Sequence, residues 1–125
     1  MNRFGVDVEA RADGSTILKC PEPLASLPSS LIAILRDRVG DHPDREFLCE
    51  RGADRAWRRV SYADVLEAAN AIGQALLDGG HGPDRPIAIL SDNSIDQAFM
   101  MFGGMTVGIP VMPVSSAYSL MSQDH

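Results

Sequence analysis

Between Ala98 and Val114 the chain is almost wholly apolar, and no other segment restricts its fold as severely. A membrane-spanning helix needs roughly 20 such residues. This run is shorter, and Gly103, Gly104, Gly108, Pro110 and Pro113 interrupt it. It therefore divides into a buried helix ending near Val107 and a buried strand from Ile109 to Val114. Upstream, Ile87-Ala88-Ile89-Leu90 is an unbroken apolar run of the kind that a parallel sheet covers on both faces. Asp92 or Asn93 is placed to cap the intervening helix. Ile95, Phe99, Met100, Met101, Phe102 and Met105 make that helix apolar nearly all round, which predicts burial on more than one side. Strand, helix and strand in succession predict βαβ winding with a right-handed crossover, and the two prolines assign the second strand an edge or irregular position.

The preceding sequence supplies more helical and extended elements. Ser61-Tyr62-Ala63-Asp64 is a capping-box pattern, in which the serine hydroxyl accepts from the N–H three residues on and the aspartate reaches back. Val65, Ala69, Ile72 and Leu76 then form an apolar stripe that Asp64, Glu67, Asn70, Gln74 and Asp78 avoid, until Gly79-Gly80 stops the helix. Glu46 to Glu50 and Ala56 to Val60 read as a hairpin, with Gly52 available for a positive φ. Leu31, Ile34, Leu35 and Arg38-Val39 follow a helical period after a Ser29 or Ser30 cap, with Gly40 and Pro43 to end it. Phe4 to Cys20 alternates loosely around Asp13-Gly14, as a peripheral hairpin or extended arm does, and Pro21, Pro23 and Pro28 punctuate the linker that follows. The chain thus divides into an extended arm and linker over 1–28 and an α/β portion over 29–125.

With 45% apolar and 22% charged residues in 125, the composition is that of a soluble globular domain. A net charge of -6, with Lys19 the single lysine, disfavours a nucleic-acid partner, because that affinity comes largely from Lys and Arg at phosphates. Cys20 and Cys49 lack the paired spacing of a zinc or redox motif and read as reduced thiols. The stretch Met1 to Asp7 turns polar before an apolar signal core can build. A cytoplasmic protein without a membrane partner is the expectation.

Chemistry-bearing patterns are sparse. A dinucleotide fingerprint needs glycines between a strand and the following helix, whereas Ser91-Asp92-Asn93-Ser94 has none and brings an acid that repels phosphate. Gly79-Gly80-His81-Gly82 follows a helix instead and reads as its C-cap, and no Gly-Lys-Ser/Thr loop exists. Ser122, Asp124 and His125 are triad residue types, but near neighbours at a chain end lack the convergence from separated positions that a triad requires. His42 and His81 have no second ligand at metal spacing. Arg51, Arg55, Arg58 and Arg59 around Trp57 form the one basic cluster, read as a solvated hairpin whose arginine stems cover the indole. Met100, Met101, Met105 and Met112 read as core filling.

Taken in order, these pieces resemble the front end of the AMP-forming adenylating superfamily, which includes acyl- and aryl-CoA synthetases, luciferases and peptide-synthetase adenylation domains. Val60-Ser61-Tyr62-Ala63-Asp64-Val65 is similar to that family's first core motif, at a strand-to-helix junction. The run Met105 to Val114 is similar to the second, where a helix ends and a strand closes on Val-Pro. Arg85 to Ser94 resembles the strand-turn-helix between them, and His42-Pro43-Asp44 the usual opening. Within the superfamily the feruloyl-CoA synthase branch is most similar: Cys20-Pro21-Glu22-Pro23-Leu24, Ala56-Trp57-Arg58-Arg59 and Ser115 to His125 echo its motifs, with a departure at Ser116, where that branch has proline.

The resemblance implies the N-terminal portion of a layered, mostly parallel βαβ sheet with a peripheral hairpin, an incomplete domain. It also implies a two-step ligase in which a carboxylate attacks the α-phosphate of ATP with Mg²⁺ present, pyrophosphate leaves, and the acyl group passes to the thiol of coenzyme A. A phenolic cinnamate such as ferulate would be the carboxylate, and the remainder of the enzyme the partner. The family's phosphate-loop, adenine, ribose and catalytic lysine motifs have no counterpart here. Catalytic, cofactor-binding and metal residues are therefore each expected to be none, and the chain inactive alone. Two other readings are a standalone, non-catalytic α/β binding module and a small nucleotide binder.

Overall fold

A computed structural model describes residues 5–117. The elements are β1 (Asp7–Ala10), β2 (Thr16–Lys19), α1 (Leu31–Asp41), β3 (Glu46–Arg51), β4 (Trp57–Ser61), α2 (Tyr62–Asp78), β5 (Ile87–Leu90), α3 (Ile95–Thr106) and β6 (Val111–Val114). Strands pair two by two: β1 with β2 and β3 with β4 antiparallel, and β5 with β6 parallel across α3, Ile87 opposite Val111 and Leu90 opposite Val114. The fold is mixed α/β, and its parallel component is the βαβ unit expected from the apolar run.

The capping box of α2 is formed as its sequence dictates. Ser61 Oγ accepts from the Asp64 N–H at 3.1 Å, and Asp64 Oδ2 accepts from the Ser61 N–H at 2.7 Å. The next two free donors of the helix, the N–H groups of Tyr62 and Ala63, reach the carbonyls of Arg45 and Pro43. The His42-Pro43-Asp44 turn is thereby fixed at the start of α2. The hydrogen bonds from the Ser61 backbone and hydroxyl hold the Asp64 carboxyl below its usual value of 3.8. A depressed carboxyl contributes stability that is fully present above its unfolded pKa and is lost as pH falls through the lower, folded one. Asp64→Asn is therefore expected to flatten the acid limb below about pH 4 in a stability profile followed by circular dichroism. Ser61→Ala should cost about 1 kcal/mol at neutral pH by urea unfolding.

Helices α2 and α3 form the centre of the packing. Val65 and Ala69 are fully buried, and Ile95 and Ile109 nearly so. What permits the close crossing is glycine. A Cβ added to Gly103 would lie 2.4 Å from Ile72 Cγ2, one on Gly73 would lie 2.9 Å from Val107 Cγ1, and one on Gly104 2.4 Å from Val111 Cγ2. Past α3, Gly108 takes φ +72°, and the Ile109 N–H turns back to the Gly104 carbonyl at 2.9 Å, a left-handed cap that starts β6. Phe47 stacks on Tyr62 with centroids 4.4 Å apart and meets Phe102 at 6.0 Å, tying the β3–β4 hairpin to α2 and α3.

Several local expectations are corrected. The cap of α3 is Ser94, whose hydroxyl accepts from the Gln97 N–H at 3.0 Å, rather than Asp92 or Asn93. The positive φ of the β3–β4 turn falls on Arg55 at 67°, not on Gly52, where a Cβ would lie 2.8 Å from Asp54 Oδ1 and require that carboxylate to shift. In α1 the buried residues are Ile32 and Leu35, whereas Leu31 and Ile34 stay partly exposed along a groove that they share with Phe47, Tyr62 and Phe102. Strand β6 begins at Val111, two residues later than expected. Along α3, Phe99, Met100, Met101, Phe102 and Met105 are only half-buried, because α2 covers one side and the described residues leave the others partly open. Leu90 on β5 and Met112 on β6 are 79% and 53% exposed.

Candidate functional site

Ligands of open parallel sheets bind outside the carboxyl ends of the strands, which here means the turns after Leu90 and Val114. They enclose a cleft of about 280 Å³ lined by Ser91, Asp92, Asn93 and Gln97 on one side and by Pro113 to Ser116 on the other. Asp92 spans the two sides: its carboxylate accepts from the Ser116 hydroxyl, and its carbonyl accepts from Ser91 Oγ at 2.8 Å. The cleft is polar, and its one described ionisable group is a carboxylate.

A triphosphate needs free backbone donors and cations, and two of the donors in the first turn of α3 are already engaged. Glu50 Oε2 accepts the Ile95 N–H at 2.7 Å, and Ser94 Oγ takes that of Gln97. Glu50 also receives Arg58 Nη1 at 3.2 Å, while Arg58 Nη2 reaches Asp96 at 2.9 Å, so three carboxylates, Glu50, Asp92 and Asp96, stand around this helix end. The hydrogen bond with Asp96, and secondarily Glu50, raises Arg58 above its ordinary range. These residues do not fit ATP, and no step of its chemistry is assigned to them. Among the described residues no group of three or more His, Cys, Asp or Glu side chains is arranged for a metal.

The other sequence candidates are dispersed. Lys19 lies on β2, paired with Glu9 at 2.7 Å. His42 caps α1 through its backbone N–H to the Arg38 carbonyl, and His81 is exposed in the loop after α2. Arg51 sets its guanidinium carbon 5.3 Å from the Trp57 ring centroid, a cation–π contact in place of the expected coverage by arginine stems, and the indole stays 51% exposed. Arg58 and Arg59 instead make ion pairs, the latter with Glu46. Cys20 and Cys49 are free and exposed. The residues Ser122, Asp124 and His125, and most of the Ser115 to His125 block, lie outside the described residues. Glu50 was missed from sequence because its partner is 45 residues away and no local pattern announces it.

Residues 35–124 match the model of the AMP-binding enzyme family. The chain belongs to that family. This AMP-binding family member is 27% identical over 90 residues to a probable non-canonical nonribosomal peptide synthetase, CymA, of Salinispora arenicola, which covers 72% of the chain and 1% of the relative. It is 25% identical over 96 residues to the phosphinothricin tripeptide synthetase PhsC of Streptomyces viridochromogenes, covering 77% of the chain and 8% of that protein. Among solved structures, a fatty acyl-adenylate ligase from L. pneumophila, in complex with acyl adenylate and pyrophosphate, superposes with a TM-score of 0.64 at 19% identity, over 69% of the chain and 15% of the ligase. A fatty acid AMP ligase from Legionella pneumophila gives 0.65 over the same shares. The AMP-binding family member thus has the fold of a part of these ligases and spans a small fraction of their length. Among the described residues no helix is long and apolar enough to cross a membrane.

Proposed function

We propose that this chain is the N-terminal piece of an AMP-forming carboxylate–CoA ligase of the feruloyl-CoA synthase kind, with residues 1–28 an arm and linker and residues 29–125 part of the N-terminal subdomain. The complete enzyme converts a phenolic cinnamate, ATP and coenzyme A, with Mg²⁺, into the acyl-CoA, AMP and pyrophosphate. It works in the cytoplasm, in keeping with two unpaired thiols. The observation that carries this reading is the family match over residues 35–124 within a chain that corresponds to 15% of a ligase of this fold. The feruloyl assignment rests on the three branch-like blocks at Cys20 to Leu24, Ala56 to Arg59 and Ser115 to His125.

In this account the chain contributes a wall and no phosphate contact. Its half-buried α3 side chains and exposed Leu90 and Met112 are surfaces for the remainder of the enzyme. Calorimetry of the 125-residue chain with ATP and Mg²⁺ is expected to give no saturable heat, and ferulate with ATP no pyrophosphate exchange. Saturable binding, or exchange by the chain alone, would overturn the reading in favour of a self-contained nucleotide site.

A further inference from the structure

The arm carries an open sheet edge that the family domain does not account for. β1 and β2 precede residue 35, where the family match begins, and among the described residues they pair only with each other. Their register places Val8 opposite Leu18 and Ala10 opposite Thr16 on one face, with Asp7 opposite Lys19 and Glu9 opposite Ile17 on the other. The first face is apolar and uncovered, Val8 being 66% and Leu18 68% exposed. On the second, Glu9 holds Lys19 at 2.7 Å and Arg11 at 3.9 Å. A two-stranded hairpin of four-residue strands is at best marginally stable by itself, and a third or fourth strand is what stabilises it.

In the registers that would make the Val8 and Leu18 row continuous, the charges distinguish the two edges. Two copies of β1 paired antiparallel about Val8 would set Asp7 against Glu9 twice, and like charges directly opposite are destabilising. Two copies of β2 paired about Leu18 set Leu18 against Leu18, Ile17 against Lys19 and Thr16 against Cys20, with no like-charge pair. Because the two-fold keeps each face on its own side, the apolar row becomes continuous, running Val8, Leu18, Leu18, Val8 across the sheet. We propose that the β2 edge pairs with the β2 edge of a second copy of this chain, joining two arms into a four-stranded antiparallel sheet. This dimer does not depend on the ligase assignment.

Light scattering on the eluting 125-residue chain tests it. The mass is expected to rise with concentration to twice 13.5 kDa, and Leu18→Glu, which opposes two carboxylates at the axis, is expected to hold it at the monomer with its helical circular dichroism signal unchanged. Leu90→Glu, on β5, is expected to keep the dimer. In a Cys20→Ser, Cys49→Ser background, Leu18→Cys is expected to give a disulfide-linked dimer on a non-reducing gel. A chain monomeric at every concentration overturns the proposal, as does a dimer that survives Leu18→Glu. A dimer abolished by Leu90→Glu, or one that gives no Leu18→Cys cross-link, assigns the contact elsewhere and overturns it too.

Discussion

Replacing Gly103 with alanine is expected to lower the unfolding free energy by about 3 kcal/mol, the upper part of the range for overpacking a tight interior. The added methyl would sit 2.4 Å from Ile72 Cγ2 and 2.7 Å from Ile72 Cβ. Neither atom is the mobile tip of a long side chain, so relief requires α2 and α3 to separate. Separation in turn loosens the contacts around Val65 and Ala69, the two fully buried residues of the core. Urea midpoints measure the loss, and two further variants assign its cause. Ile72→Ala with Gly103→Ala should lose less than the sum of the single changes, because the smaller side chain admits the methyl. Gly40→Ala should be neutral or stabilise by up to about 1 kcal/mol, since this helical glycine has nothing within 4 Å of an added Cβ.

The second large effect is expected at Glu50. Its carboxylate joins the β3–β4 hairpin to the start of α3, accepting the Ile95 N–H on one oxygen and Arg58 on the other. Glu50→Ala leaves a half-covered backbone donor unsatisfied and deprives Arg58 of one of its two acidic partners, a loss of about 2 kcal/mol. Glu50→Gln keeps an acceptor for the Ile95 N–H and gives up only the charge, so roughly half of that loss is expected. Hydrogen exchange locates the effect: the Ile95 amide should lose protection in Glu50→Ala and retain most of it in Glu50→Gln. Equal behaviour of the two variants would mean that the ion pair with Arg58, and not the helix-end contact, fastens the hairpin.

Features determined within a few residues were legible in the sequence. Ser61 and Asp64 bracket a helix start, Gly79-Gly80 ends that helix, and the apolar run at Ile87 to Leu90 with the divided run after Ala98 specifies the parallel pair. Features set by distant partners were not. Gly103 and Gly104 read as interruptions of an apolar segment, whereas their role is to admit Ile72 and Val111. Ser94 caps α3 in place of Asp92, whose carboxylate instead accepts from Ser116. In α1, periodicity selects Leu31 and Ile34 along with Leu35, yet Ile32 and Leu35 are the buried pair, because the groove beside Phe47, Tyr62 and Phe102 that Leu31 and Ile34 line stays open among the described residues. The family was legible because its motifs sit at strand–helix junctions, where local chemistry and fold coincide.

If these residues are the opening section of a ligase, as proposed above, its phosphate-binding machinery lies further along the polypeptide. Nucleotide sequencing through and past the codon for His125 tests it most directly. The expected result is an open frame that continues into a Ser/Thr/Gly-rich loop with its lysine and then into the remaining adenylation motifs. A stop codon at that point, with no neighbouring frame encoding those motifs, would contradict it and make the chain a self-standing, non-catalytic α/β module.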